Sequence, residues 1–315
     1  MKVAVLDDYQ QVALSMADWS RVLDRAQVDP FDDHVSGEDE LVARLTTYEV
    51  VVVMRERTPL PAGVIERLPR LRLIVTTGRR NPTIDVAAAR ARGITVCGTG
   101  SLASAPVELT WALILGLSRH LVVEADHMRH GGWQTTVGRD LAGRTLGVVG
   151  LGRIGSAVAG VGLAFGMRVL AWSAHLTEDR AAEAGVVAVR FDELLRESDV
   201  VTIHQVLSDR THGLVGAREL ARMKPSALLV NTSRGPIVDT AALVSALERG
   251  TLGGAGLDVY DEEPLPAGHV LRTAPNTLLT PHLGYVTEDV YRTFFGDVVE
   301  AISAFLDERP VPRPL

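Results

Sequence analysis

The chain lacks most of what would tie it to a membrane, a nucleic acid or an oxidising compartment. Cysteine occurs once, as Cys97, which excludes internal disulfides and makes a reducing compartment the simplest expectation. Lysine occurs only at Lys2 and Lys224; arginine supplies the remaining positive charge, a bias of genome composition and not of chemistry. Acidic residues outnumber basic ones, 39 to 32, for a net charge of −7. Such a chain has no basic excess to offer a nucleic-acid backbone. No apolar run reaches transmembrane length, and residues 1–8 read as a strand broken by acids instead of a signal segment. A cytoplasmic protein is the expectation. There is no P-loop lysine, no G-x-S-x-G elbow, no cysteine cluster, no internal repeat and no low-complexity stretch. His127 and His130 stand three apart with no third ligand at a sensible spacing, so no metal is expected.

What the chain does contain is a long alternation of strands and helices. With 315 residues, 46% of them hydrophobic and 23% charged, it has the composition of a globular protein and the length for two domains. Apolar runs at 2–6, 50–54, 71–76 and 94–97 predict short buried strands. Helical patterns at 37–45, 61–68 and 86–92 lie between them, giving a small βα domain of flavodoxin-like type. A single long apolar helix is predicted over 106–128. A second series follows, with about six strands at 145–149, 167–172, 200–204, 227–231, 254–259 and 276–280, the size of a doubly wound nucleotide-binding domain. A last helix is predicted over 286–306.

The most informative motif is Gly150-Leu151-Gly152-Arg153-Ile154-Gly155. It follows a predicted buried strand and opens a predicted helix, the context in which G-x-G-x-x-G points to a dinucleotide. Its first glycine permits the turn, the second admits the pyrophosphate, and the third lets helix and strand pack closely. The helix N-terminus then offers N–H groups to the phosphates. Further on, each of three strands is followed by a chemically useful residue. Arg234 lies in Asn231-Thr232-Ser233-Arg234-Gly235, a carboxylate cluster in Asp258-Val259-Tyr260-Asp261-Glu262-Glu263-Pro264, and His282 in Thr280-Pro281-His282-Leu283-Gly284. Hydride transfer to a 2-oxo acid needs such a set. A guanidinium fork holds the substrate carboxylate. A histidine exchanges the proton, and a carboxylate orients the imidazole.

These segments, in this order, resemble the D-isomer-specific 2-hydroxyacid dehydrogenases over nearly the whole chain. Gly132-Trp133, the run 141–147, Met223-Lys224-Pro225 and Gly256-Leu257-Asp258 belong to the same resemblance. It implies a Rossmann domain at 102–284 inserted into a discontinuous substrate domain at 1–101 and 285–315. It implies Arg234 as the substrate-binding residue, Glu263 as the partner of His282, His282 as acid and base, and Asp258 beside the nicotinamide carboxamide. NAD would be held by Gly150, Gly152, Arg153, Ile154 and Gly155. A small 2-oxo or 2-hydroxy acid would be the partner, in a homodimer, with no nucleic acid and no membrane. Relatives of this fold that act on formate, phosphite or 3-phosphoglycerate, and nicotinamide-sensing corepressors, mark the alternative readings.

Two departures from the family pattern stand out. Ser173 occupies the place of the acid that binds the adenosine ribose, which leaves NADP admissible beside NAD. In the loop Gly78-Arg79-Arg80, whose backbone is expected to hold the substrate carboxylate, Arg80 replaces a second glycine. With Arg55 and Arg57 close in sequence, these arginines either add positive charge over the substrate pocket or pair with Glu56 or Asp85 and shape the loop.

Overall fold

Short runs of aliphatic residues buried on both faces build nearly every strand, as parallel sheets covered by helices require. The computed structural model describes all residues from Met1 to Leu315. They divide into two units, Met1–Leu102 with Val286–Leu315, and Ala103–Tyr285.

The first unit holds β1 (Lys2–Val5), β2 (Gln27–Pro30), β3 (Val50–Val53), β4 (Leu73–Thr76) and β5 (Thr95–Gly98), with helices α1 (Ser20–Leu23), α2 (Glu38–Leu45), α3 (Ala62–Ile65) and α4 (Val86–Ala91) between them. All neighbours are parallel, in the order β2-β1-β3-β4-β5, which is the flavodoxin-type order. β3 and β4 are buried throughout. β2 was not expected. Its sequence, Gln-Val-Asp-Pro, is that of a polar edge and carries no apolar run to announce it. At the opposite edge the chain's last residues lie along β5. Gly98 N donates to Arg313 O at 3.0 Å and Leu315 N to Val96 O at 2.9 Å, so this edge is covered.

The second unit opens with α5 (Ser104–Ser118) and α6 (Leu121–Arg129), where one helix was expected. His120, at φ 52°, adopts the left-handed conformation between them, and the two axes bend by 66°. A left-handed residue cannot continue a right-handed hydrogen-bond ladder, so the apolar pattern runs on while the helix does not. No single helix is long and apolar enough to cross a membrane.

Next come β6 (Thr145–Val149), α7 (Arg153–Ala164), β7 (Arg168–Trp172), α8 (Glu178–Glu183), β8 (Val187–Ala188), α9 (Phe191–Glu197), β9 (Val200–Ile203), α10 (Ala217–Leu220), β10 (Leu228–Asn231), α11 (Thr240–Glu248), β11 (Gly254–Leu257) and β12 (Thr277–Leu279). The sheet has seven parallel strands in the order β12-β11-β10-β9-β6-β7-β8, one more than expected. The addition, β8, is a two-residue edge strand too short to show a pattern. This is the doubly wound order, reversing between β6 and β9, and ligands of such sheets bind beyond the strand C-termini at that point. Finally α12 (Glu288–Leu306) returns to the first unit and buries Phe294, Phe295, Val298 and Ile302 along one face.

Candidate active site

The glycine turn sits at the reversal point and its three glycines differ in what surrounds them. Gly150 has φ +105°, and a Cβ there would stand 2.4 Å from the carbonyl oxygen of His204. At Gly155 a Cβ would stand 1.9 Å from the Gly150 oxygen, so the helix meets the turn only if that residue is glycine. Around Gly152 nothing lies within 4 Å. Turn and packing explain the first and third; the second faces open space, as backbone that receives a pyrophosphate must. Gly152 also caps α7, whose first residue, Arg153, is exposed while Ile154 packs against the core. The geometry fits a dinucleotide.

Ser173 follows β7 and accepts a hydrogen bond from Leu151 N at 2.8 Å. The serine therefore braces the glycine turn, a task its position in the sequence did not announce. His204 follows β9, with Nε2 3.0 Å from Thr202 Oγ1. Burial lowers its pKa to about 4, so the ring is neutral near pH 7 and packs, as expected of it.

The strands β10, β11 and β12 are parallel neighbours in a matched register, Asn231 beside Leu257 and Leu257 beside Leu279. The loops that follow therefore emerge side by side at one sheet edge. In the first, Asn231 folds the chain back on itself. Its Nδ2 donates to Arg234 O at 2.9 Å and its Oδ1 accepts from Ser233 N at 3.0 Å. Ser233 Oγ donates to Ile203 O at 2.7 Å. The turn so fixed carries Arg234, half-buried, with Nη1 donating to Ser233 O at 2.7 Å.

The second and third loops are joined by two carboxylates. Asp258 is wholly buried. Its Oδ1 accepts from Thr280 Oγ1 at 2.6 Å and Leu283 N at 2.7 Å, and its Oδ2 from Gly284 N at 2.8 Å. Burial pushes the Asp258 carboxyl up, while these donors and the neighbouring His282 pull it back. What the carboxylate does here is clamp the loop on both sides of His282. That residue takes a left-handed backbone, φ 54°, a costly conformation which the clamp offsets. Glu263 completes the pair. Its Oε2 lies 2.5 Å from His282 Nδ1, and its Oε1 accepts from Tyr260 N at 2.9 Å. The Tyr260 hydroxyl donates to Thr280 O at 2.8 Å, and the Tyr285 ring meets His282 edge-on with centroids 5.4 Å apart.

Arg234, Glu263 and His282 thus share the strand-end edge that the sequence assigned them. Thr280 and the Tyr260 backbone were missed. The signal for Thr280 was present, since a buried aspartate requires donors nearby. Of the remaining candidates, His127 Nδ1 lies 2.9 Å from Trp133 O and His130 Nδ1 2.8 Å from Asp126 O, both holding the turn after α6. Asp261 and Glu262 are exposed.

In the first unit, Gly78 follows β4 with φ +95°. Its N–H donates to Thr99 Oγ1 at 2.6 Å and its carbonyl accepts from Thr99 N at 2.9 Å. A Cβ at Gly78 would lie 2.0 Å from Arg55 Nη1, so the glycine makes room for that guanidinium. Arg55 is itself fixed: N donates to Thr77 Oγ1 at 2.9 Å, O accepts from Asn81 Nδ2 at 2.5 Å, and Nε lies 3.6 Å from Glu56 Oε2. Arg79 and Arg80 are exposed. Arg57 lies over the Tyr9 ring, 4.7 Å from its centroid. Asp85 caps α4 through Ala88 N.

Fold and site together define an NAD-binding dehydrogenase of the doubly wound class. Residues 111–284 match the NAD binding domain of the D-isomer specific 2-hydroxyacid dehydrogenases. The chain is 39% identical over 303 residues to a glyoxylate reductase of Aeropyrum pernix, covering 93% of this chain and 88% of the relative. Among solved structures it resembles a phosphoglycerate oxidoreductase of Vibrio cholerae O395, with TM-score 0.92, 39% identity, and 98% and 99% of the two chains covered. It also resembles the D-lactate dehydrogenase of Aquifex aeolicus complexed with NAD and lactic acid, with TM-score 0.79, 31% identity, and 97% and 96% covered. The chain belongs to the D-isomer-specific 2-hydroxyacid dehydrogenase family and is an NAD-dependent oxidoreductase acting on CH–OH donors.

Proposed function

We propose that the protein interconverts a short 2-oxo acid and its D-2-hydroxy acid, with His282 moving the proton and Arg234 holding the substrate. The observation that carries this reading is the 2.5 Å pair between His282 Nδ1 and Glu263 Oε2 beside the Arg234 turn. Bound NAD supplies or accepts the hydride. In reduction, the imidazolium keeps its Nδ1 proton on Glu263 and gives the Nε2 proton to the carbonyl oxygen as negative charge develops there. Glu263 fixes the ring's orientation, and Tyr260 N fixes Glu263 in turn. The Arg234 fork binds the substrate carboxylate and polarises the carbonyl. In oxidation His282 starts neutral and takes the hydroxyl proton.

NAD is the proposed working cofactor, with NADP tolerated, because Ser173 puts no negative charge at the ribose position. The protein is further proposed to be a homodimer. Supporting this, α6 buries none of its residues, and Leu121, Val122, Val123 and Met128 are each more than half exposed.

Steady-state kinetics with a 2-oxo acid and NADH test the residue roles. His282→Asn is expected to lower kcat about 10²- to 10⁴-fold with little change in KM. Arg234→Ala is expected to raise KM and lower kcat together. Unchanged rates in either variant would remove the role assigned to that residue.

A further inference from the structure

Arg234 rides on the short turn Asn231–Gly235, so its position depends on what that turn leans against. Asn231 closes the turn on itself, and Ser233 ties it to Ile203 of β9. The residue between them, Thr232, reaches a helix instead. Its Oγ1 lies 2.8 Å from Oγ1 of Thr110 on α5. At the end of the turn, a Cβ on Gly235 would stand 2.1 Å from the Tyr260 carbonyl carbon. The turn therefore also abuts the residue whose N–H holds Glu263.

Thr110 is wholly buried, where a hydroxyl needs partners. Its one proton goes to Pro106 O, at 2.7 Å, because a carbonyl can only accept. Thr110 Oγ1 is then the acceptor towards Thr232, and the Thr232 hydroxyl the donor. A threonine bonded to the carbonyl four residues back is ordinary in a helix. A second bond, arriving from another element, is not something helix formation requires. Pro106 has a further neighbour too. A Cβ on Gly284 would lie 3.8 Å from Pro106 Cβ, in van der Waals contact, and Gly284 N is one of the donors through which Asp258 clamps the His282 loop. The start of α5 thus borders the Arg234 turn at Thr110 and the His282 loop at Pro106. The helix itself is firmly seated: a Cβ on Gly256 of β11 would come within 3.2 Å of both Leu113 and Leu117.

We propose that Thr110 is a positioning residue for the reaction. Through Thr232 it fixes the Arg234 turn against the stretch of helix that borders the His282 loop, and so sets the guanidinium relative to the imidazole. It acts through Arg234 and does no chemistry itself. The proposal rests on the substrate-binding role given to Arg234 above.

Steady-state kinetics with a 2-oxo acid and NADH, together with the NADH Kd from fluorescence titration, provide the test. Thr110→Val keeps the shape and removes the acceptor. It is expected to raise the KM of the 2-oxo acid about three- to tenfold, the worth of one hydrogen bond, with a smaller fall in kcat. The NADH Kd and the pH profile of kcat should stay as in the wild type, because the glycine turn, His282 and Glu263 are untouched. Thr110→Ser restores the hydroxyl and should return KM to within about twofold of the wild type. Thr232→Val, at a half-buried position, should reproduce the effect, and the double variant should add nothing, since both changes remove one bond. An unchanged KM in Thr232→Val or Thr110→Val, additive effects in the double variant, or no rescue by serine overturns the proposal. So does an equal loss of NADH affinity, which would mark a general packing defect. Should Thr110→Val fail to fold, Thr232→Val and Thr110→Ser decide the matter. Arg234→Ala separates this proposal from the reading beneath it. A raised KM there with an unchanged one in the threonine variants overturns the role of Thr110 alone; an unchanged KM there overturns both.

Discussion

At the scale of single residues, the site depends on neighbours that do no chemistry themselves. His282 is usable because Asp258 clamps Leu283, Gly284 and Thr280 around its left-handed backbone and Glu263 aligns its ring. Ser173 is a second case. Its hydroxyl is engaged with Leu151 N, and an aspartate there could accept the same bond while adding charge at the proposed ribose position. Ser173→Asp is therefore expected to leave NADH turnover nearly unchanged and to raise the NADPH KM tenfold or more, since like charges in contact cost several kcal/mol. Parallel NADH and NADPH titrations check this. An equal effect on both cofactors would mean that Ser173 matters only as a brace. The candidate catalytic residues were legible in the sequence because each follows a recognisable strand. It did not reveal that Gly78 makes room for Arg55, since that depends on where a side chain from the end of a different strand comes to lie.

At the scale of elements, prediction succeeded where a run of buried residues had a single interpretation. Val50–Val53 (β3) and Leu73–Thr76 (β4) are uniformly apolar or nearly so and are strands. It failed at edges, where Gln27–Pro30 (β2) and Val187–Ala188 (β8) pair on one side only and need no apolar pattern. It failed again at His120, because hydrophobic periodicity reports burial and not the one residue that breaks the ladder. The arm after α6 has its own fastening. Glu124 accepts hydrogen bonds from the backbone and hydroxyl groups of both Thr135 and Thr136. Its pKa is lowered to about 2, chiefly by the Thr136 hydroxyl. A carboxyl held below its ordinary 4.5 stabilises the folded arm above that pH, and the contribution is lost as pH falls towards 2. Hydrogen exchange over residues 131–138 should therefore be slow at pH 7 and speed up, relative to the rest of the chain, in Glu124→Gln. Falling pH should produce the same loosening in the wild type but not in the variant. Exchange identical in both proteins at pH 7 would show that Glu124 fastens nothing.

At the scale of the whole molecule, the doubly wound order of the second unit sets Arg234, Glu263 and His282 on loops that follow β10, β11 and β12, where the pattern of strand and functional residue makes them legible. Assembly is less legible. Exposed apolar side chains on α6 leave no signature that distinguishes a core helix from an interface helix, and the sequence pattern reads the same in both cases. Homodimerisation predicts a solution mass of twice the 33.9 kDa chain. It also predicts that Val122→Asp/Val123→Asp, at positions already 59% and 55% exposed, shifts the protein towards monomer with little change in folding. Sedimentation velocity distinguishes the cases, and a monomeric wild type would end the proposal.

The proposed role of His282, aligned by Glu263, is to move the proton while a 2-oxo acid is reduced. Its most direct test is the rate of NADH oxidation by the wild type and by His282→Asn across glyoxylate, hydroxypyruvate, pyruvate and oxaloacetate. Turnover of at least one by the wild type, with kcat lowered about 10²- to 10⁴-fold in the variant, is the predicted result. Wild-type and variant rates that coincide, or no turnover while NADH still binds, would contradict it.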